Sequence, residues 1–213
     1  MSLGKRRDAG NFLPVIKYSA KEGTFVCVDR VCEAGQWANK ERDVTKDFEA
    51  VIDLENTRIG FINFPKGAAP DTVLVPVGAD FGDPPSEDHR QGVRLVMLMA
   101  EALGDDVREL LNTSVALWDG VDELHTDYKA QAADHPDELP VVRLADVIRR
   151  KTKQGATYVP RFKITRWVPR PWEIPVPHDE PLPAPGKHIR LAPKSSASSV
   201  GSASDDMDDE IPF

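Results

Sequence analysis

The stretch YVPRFKITRWVPRPW, Tyr158–Trp172, sorts its side chains by alternation when read as an extended strand. Tyr158, Pro160, Phe162 and Ile164 share one face, and Val159, Arg161, Lys163, Thr165 and Trp167 share the other. The first face suits a core. The second sets two cations beside an indole, which is what an unpaired polynucleotide needs. Cations meet phosphates, and an aromatic face accepts bases of any sequence at about 1–3 kcal/mol per stacked base. Arg166, Arg170 and Trp172 continue the series, although Pro169 and Pro171 leave their directions open, and Arg143 precedes it in the same basic segment. The plainer reading of this face is a solvated basic strand on which Trp167 caps a barrel.

A second aromatic candidate is Trp37, in the polar stretch EAGQWANKERDVTK, which reads as a long hairpin loop. Either it closes over the strand and extends the stacking platform, or it folds back on the barrel. Phe61 and Phe64 lie in a β-branched run, which favours the core, with Phe61 the candidate to extend the platform. Reaction chemistry finds little support. Asp53-Leu54-Glu55 is a D-x-E of the kind that holds Mg²⁺ in a nuclease, but no matching lysine constellation follows. His89, His125, His135, His178 and His188 are scattered without metal-ligand spacing, and no nucleophile elbow or phosphate-binding glycine loop occurs. Cys27 and Cys32 form a C-x4-C pair with neither a second pair nor a nearby histidine, so two reduced thiols are expected rather than zinc. The chain reads as a binding protein without catalytic residues, metal or cofactor.

The net charge of −8 argues at first against nucleic acid. Its distribution does not. From Val141 to Trp172 nine basic residues stand against one acid, a net of +8, whereas Asp80–Leu139 carries fifteen acids and four bases, a net of −11. Binding follows the local field rather than the total, so the acidic sum leaves a DNA-binding face open.

The elements that must position these residues fall between 12 and 174. Residues 1–11 read as a polar, basic arm, 175–204 as a Pro- and Ser-rich linker, and 205–213 as an acidic tip. Strands are expected at Thr24–Val31, at DFEAVIDL (47–54) hairpinned to Arg58–Phe64, and at Thr72–Val77, where Pro76 favours an edge. Gly92–Met99 fits a strand or a helix start. Helical spacing of Val107, Leu110, Leu111, Val115, Leu117, Trp118, Val121 and Leu124 predicts a helical insertion over about 100–133, interrupted at Gly104 and Gly120. LPVVRLADVI and TYVPRFKITRWV close the domain as two strands joined by a basic turn containing Gly155. This inventory predicts a mainly β fold, best matched by a five-stranded antiparallel oligonucleotide-binding (OB-like) barrel with a helical insertion. An α+β sandwich is the competitor. No run of 18 apolar residues occurs and the first residues lack a signal-peptide core, so an intracellular protein without membrane partners is expected, in the bacterial cytoplasm if phage-encoded.

The last residues, SDDMDDEIPF, set five carboxylates before an apolar Ile211-Pro212-Phe213. An ordinary solvated tail gains nothing from that triplet. The ending resembles the acidic tip of bacterial single-stranded DNA-binding proteins, with Asp208, Asp209, Glu210, Ile211, Pro212 and Phe213 as the matching residues. Glu210 stands where Asp is usual in that family, and the match covers about nine residues. The stretch from Leu139 to Pro171 is similar to the body of phage or prophage members, while the usual opening and Gly/Gln-rich linker of the bacterial housekeeping form are absent. The resemblance implies sequence-tolerant single-stranded DNA binding in replication, recombination and repair, with partner proteins taking the tip and with oligomeric state open. Physically, a terminal Phe with its carboxylate suits an apolar pocket rimmed by cations. Two other readings stay open, a recombination nuclease or annealing protein and an adaptor without DNA affinity. Removing Asp205–Phe213 is expected to raise affinity for oligo(dT) at low salt in a filter-binding titration, because the tail competes for the basic segment. An adaptor shows no gain.

Overall fold

The alternation in VIKYS, TFVCVDRV and RLVMLM places every second side chain on one face, and in the computed structural model these faces enclose one core. The structure describes residues 13–33, 35–153 and 155–175. The arm at 1–11, the tip and all of the linker but Pro175 lie outside the described residues.

Among the described residues ten strands and one α-helix follow in order: β1 (Val15–Ser19), β2 (Thr24–Glu33), β3 (Gln36–Asp43), β4 (Glu49–Ile52), β5 (Arg58–Asn63), β6 (Asp71–Pro76), β7 (Arg90–Met99), β8 (Val107–Asn112), α1 (Val115–Gln131), β9 (Glu138–Thr152) and β10 (Gly155–Pro169). The ladder runs β10-β9-β4-β7-β8-β1-β2-β3, with β5 and β6 attached to β7 as a side branch. All pairs are antiparallel except β1 with β8. The mainly β expectation holds. The five-stranded barrel is corrected to an open sheet of ten strands, because Val15–Ser19, Gln36–Asp43 and Val107–Asn112 add strands that the inventory did not hold.

The open ladder is rolled. Tyr158 N–H donates to Ala20 O at 2.8 Å, and the Tyr18 hydroxyl donates to Tyr158 O at 2.6 Å, so the end of β1 meets β10. Inside the roll Tyr18, Phe25, Phe48 and Phe162 pack ring on ring, with centroids 4.6–5.9 Å apart. Helix α1 lies against β10, adding Leu117, Val121 and Leu124 to the core. Gly120 makes this approach possible, since a Cβ there would collide with the Pro160 carbonyl.

Three expectations change for stated reasons. Residues 47–54 and 58–64 do not hairpin. β4 and β5 lie in succession along the same long strand, β4 on Met97–Met99 and β5 on Arg90–Arg94, and the Asp53–Thr57 bend joins them. The helical insertion shrinks to Val115–Gln131, because Val107–Asn112 pairs with both β7 and β1 as a strand. Its inward residue Arg108 is 2% exposed, held by Asp29 and Asp106 and by the carbonyls of Val15 and Val28. A buried arginine between hydrophobic positions imitates helical spacing, and its partners are remote in sequence. The helix starts where Ser114 caps it, the hydroxyl accepting from Leu117 N at 3.2 Å. Finally, Trp37 lies on a strand, β3, rather than in a loop. Gln36–Asp43 has no apolar alternation; its backbone pairs with β2, and Glu41 and Arg42 reach Lys17 and the Leu103 carbonyl.

Burial pushes the Tyr18 hydroxyl up to about 12 from its usual 10. The unfolded chain therefore ionises first as pH rises, and the stability that the protonated hydroxyl supplies is full below pH 10 and lost on approach to pH 12. Urea midpoints are expected to fall across that window, with the Tyr18-dependent part of the fall absent in Tyr18→Phe.

Candidate nucleic-acid interface

The +8 segment folds into β9 and β10, a 15-residue strand pair that pairs with β4 only at Val141–Arg143. Register shifts between Arg161 and Phe162 and between Ile164 and Arg166 break strict alternation in β10. Phe162 and Ile164 pack on the core as expected. The opposite face does not gather into one surface. Arg161 pairs with Glu123 of α1, and Arg150 pairs with Asp119 one turn earlier at 2.5 Å. Arg143 and Arg166 both reach Glu49 of β4, at 2.6 and 3.0 Å. Arg170 binds the buried Asp53. Four carboxylates from β4, the bend after it and α1 thus pair with five of the nine cations, Glu49 serving two.

Arg149, Lys151, Lys153 and Lys163 are exposed and form no ion pair among the described residues. Lys151 and Lys153 stand at the turn of the β9–β10 arm, beyond the Thr157 hydroxyl that donates to Ala20 O at 3.2 Å, and Arg149 lies opposite Tyr158 at the arm's root. Exposed Ile148 and half-buried Tyr158 lie at the root of this tip.

The aromatics divide just as sharply. Trp167 has His135 stacked on it at 4.4 Å and 6°, and Tyr128 of α1 at 5.7 Å. His135 is steadied by Glu138 at 2.7 Å. Phe61 is buried and meets Phe81 edge-on. Trp37, 64% exposed, sits opposite Cys32 on the β2–β3 ribbon with the Arg30 guanidinium 5.2 Å from its ring centre. Trp172 is 89% exposed, on a turn anchored by Arg170 on one side and buried Ile174 on the other. Phe64 is also exposed, at the end of β5. The structure therefore separates Trp37 from the basic arm, since β2 runs ten residues, about 33 Å, away from the turn that meets Tyr158.

The D-x-E motif is committed elsewhere. Both oxygens of Asp53 accept from Asn56 Nδ2, at 3.0 and 2.9 Å, and one also binds Arg170. Leu54 is buried and Glu55 exposed. Among the described residues no group of three or more His, Cys, Asp or Glu is placed to hold a metal ion. The two thiols lie on β2, Cys27 in the core and Cys32 exposed, and both are free. No helix among the described residues is long and apolar enough to cross a membrane. No protein-family model, curated protein or solved structure matches the chain.

Sequence reasoning missed the partners. Glu49, Glu123 and Asp119 each come from strands or helices distant in sequence, and no local signal marks them. The stack of His135 on Trp167 is equally silent in sequence. Because Asp53 is 2% exposed and opposed by one cation, Asp53→Ala leaves Arg170 unpaired at a partly buried site. Its expected cost is about 3 kcal/mol in urea denaturation.

Proposed function

We propose that the protein binds single-stranded DNA without sequence preference, protecting it in replication, recombination and repair, and that it is of phage or prophage type. The observation that supports this best is the β9–β10 arm. Its exposed Arg149, Lys151 and Lys153 form no ion pair among the described residues, while carboxylates pair with five other cations of the same segment. A projecting ribbon with free cations meets phosphates at small desolvation cost.

Connectivity supports an OB-like reading of part of the ladder. Strands β4, β7, β8, β9 and β10, with α1 between β8 and β9, have the make-up of a five-stranded barrel plus helix. In that reading the β9–β10 turn is the loop between the fourth and fifth strands, which such barrels use for oligonucleotides together with the loop between the first and second. β1 then occupies the place beside β8 where the barrel would close. Bases stack on Trp37 and Trp172 rather than on covered Trp167, and Lys163 adds a phosphate contact. Arg143, Arg161, Arg166 and Arg170 serve the interface only by exchanging their carboxylates for phosphates. Asp208, Asp209, Glu210, Ile211, Pro212 and Phe213, outside the described residues, supply the segment that recruits replication and recombination proteins.

Tryptophan fluorescence titrated with oligo(dT) and with duplex DNA, at several salt concentrations, tests this. Oligo(dT) is expected to quench and to bind more weakly as salt rises, and the duplex to bind poorly. Replacing Arg149, Lys151 and Lys153 by Ala lowers the slope of log affinity against log salt by about 2, since each single-strand phosphate contact contributes about 0.7. Absence of oligo(dT) binding both by fluorescence and by mobility shift would leave the adaptor reading.

A further inference from the structure

Between α1 and the β5–β7 sheet lies a cleft of about 80 Å³. Its walls are Ile59, Val93 and Val121, with Val77 beyond β6 and the half-buried Trp118 indole completing them. Three polar groups share this apolar slot: Thr57, Asp122 and His125. Thr57 is 1% exposed, and its hydroxyl has no hydrogen-bond partner among the described residues. Proteins rarely leave a buried hydroxyl unsatisfied, so this one points to a missing partner. Burial, helped by the charge of Lys129, pushes His125 below its usual range, which favours a neutral ring with one donor and one acceptor near neutral pH. The space exceeds the roughly 10–15 Å³ that one water needs, and the cleft opens to solvent on one side, so a flat ring enters it in part without being enclosed.

Chemistry narrows the occupant. An aliphatic side chain would fill the slot but leave the Thr57 hydroxyl unpaired. An anionic group would face Asp122. A neutral planar heterocycle bearing its own donors and acceptors answers both conditions, with its face toward Trp118. Lys129, one turn past His125 on α1, stands where an attached phosphate can be met outside the slot. We propose that this cleft binds one unstacked nucleobase of a nucleotide, with the base edge on Thr57 Oγ1 and His125 and the phosphate toward Lys129. The proposal deepens the single-strand reading and rests on it only for the source of the base.

Saturation-transfer NMR on the full chain, with each of the four deoxynucleosides and their 5′-monophosphates, tests the site directly, with oligo(dT) affinity measured in parallel. At least one nucleoside is expected to receive saturation. Thr57→Val, close in shape and lacking only the hydroxyl's bond, is expected to weaken it about tenfold. Val77→Trp, at a half-buried position, is expected to block the slot, and Lys129→Ala to weaken the monophosphate but not the nucleoside. Silence of all eight ligands, or binding unchanged in both Thr57→Val and Val77→Trp, overturns the site. So does transfer to N-acetyltryptophanamide without transfer to any nucleoside, which assigns the cleft to a peptide side chain. Mononucleotide binding without oligo(dT) binding keeps the site and sinks the single-strand reading. The reverse, with Thr57→Val indifferent, does the opposite.

Discussion

The meeting of β1 with β10 governs the rest of this molecule. A ladder of eight strands has two free edges and no inside. The bonds of Tyr158 to Ala20 and of Tyr18 to Tyr158 roll it, and only a rolled sheet gives Ile16, Phe25, Phe48, Leu95 and Val142 a common interior. The Tyr18 ring serves twice, packing on Phe25 while its hydroxyl spans the seam. Gly23 in the β1–β2 turn belongs to the same arrangement, since a side chain there would strike Val147 and Tyr158. The basic arm projects from this seam, so its root is fixed by the contact that shapes the core.

Electrostatic pairing then decides which cations are available. Glu49 takes two arginines, α1 takes two more through Asp119 and Glu123, and Asp53 takes Arg170. The first four pairs, on exposed arginines, contribute little to stability, about 0–1 kcal/mol each. Their effect is on the field: they offset charge along the body of β9 and β10 and leave it at the tip and at Lys163. The buried set differs. Arg108 with Asp29 and Asp106 joins β1, β2 and β8, and Asp53 with Asn56 and Arg170 ties the end of β10 to the bend after β4. Those sets specify which segments lie together, because losing one member leaves an unmatched charge away from water.

The edge strand β3 illustrates a further constraint. Its outer edge is unpaired among the described residues, and Lys40, Glu41, Arg42 and Asp43 crowd its second half. Lys40 and Arg42 share one face and Glu41 and Asp43 the other. A two-fold antiparallel pairing of two such edges sets like charges side by side, which discourages association through it. The opposite half carries Trp37 beneath Arg30, where the ring is held without being covered.

What the sequence determined by itself was whatever depends on neighbours. Alternation marked β4 and β10, β-rich runs marked β2 and β9, Pro76 marked an edge, Gly92–Met99 stayed between strand and helix, and Phe162 and Ile164 were legible as core because period two is a local property of an extended chain. The basic segment and the acidic tip were legible as composition. Tertiary structure alone decided that 47–54 and 58–64 line one strand instead of pairing, that Val107–Asn112 is a strand around a buried arginine, and that a polar stretch such as Gln36–Asp43 is a strand at all. It alone decided that Trp167 is covered by His135 while Trp37 and Trp172 are not. The physical reason is common to these cases. Strand pairing, charge neutralisation and ring stacking are made with residues of other elements, from the neighbouring strand of a hairpin to the far end of the chain, and their energies outweigh local spacing without leaving a mark in it.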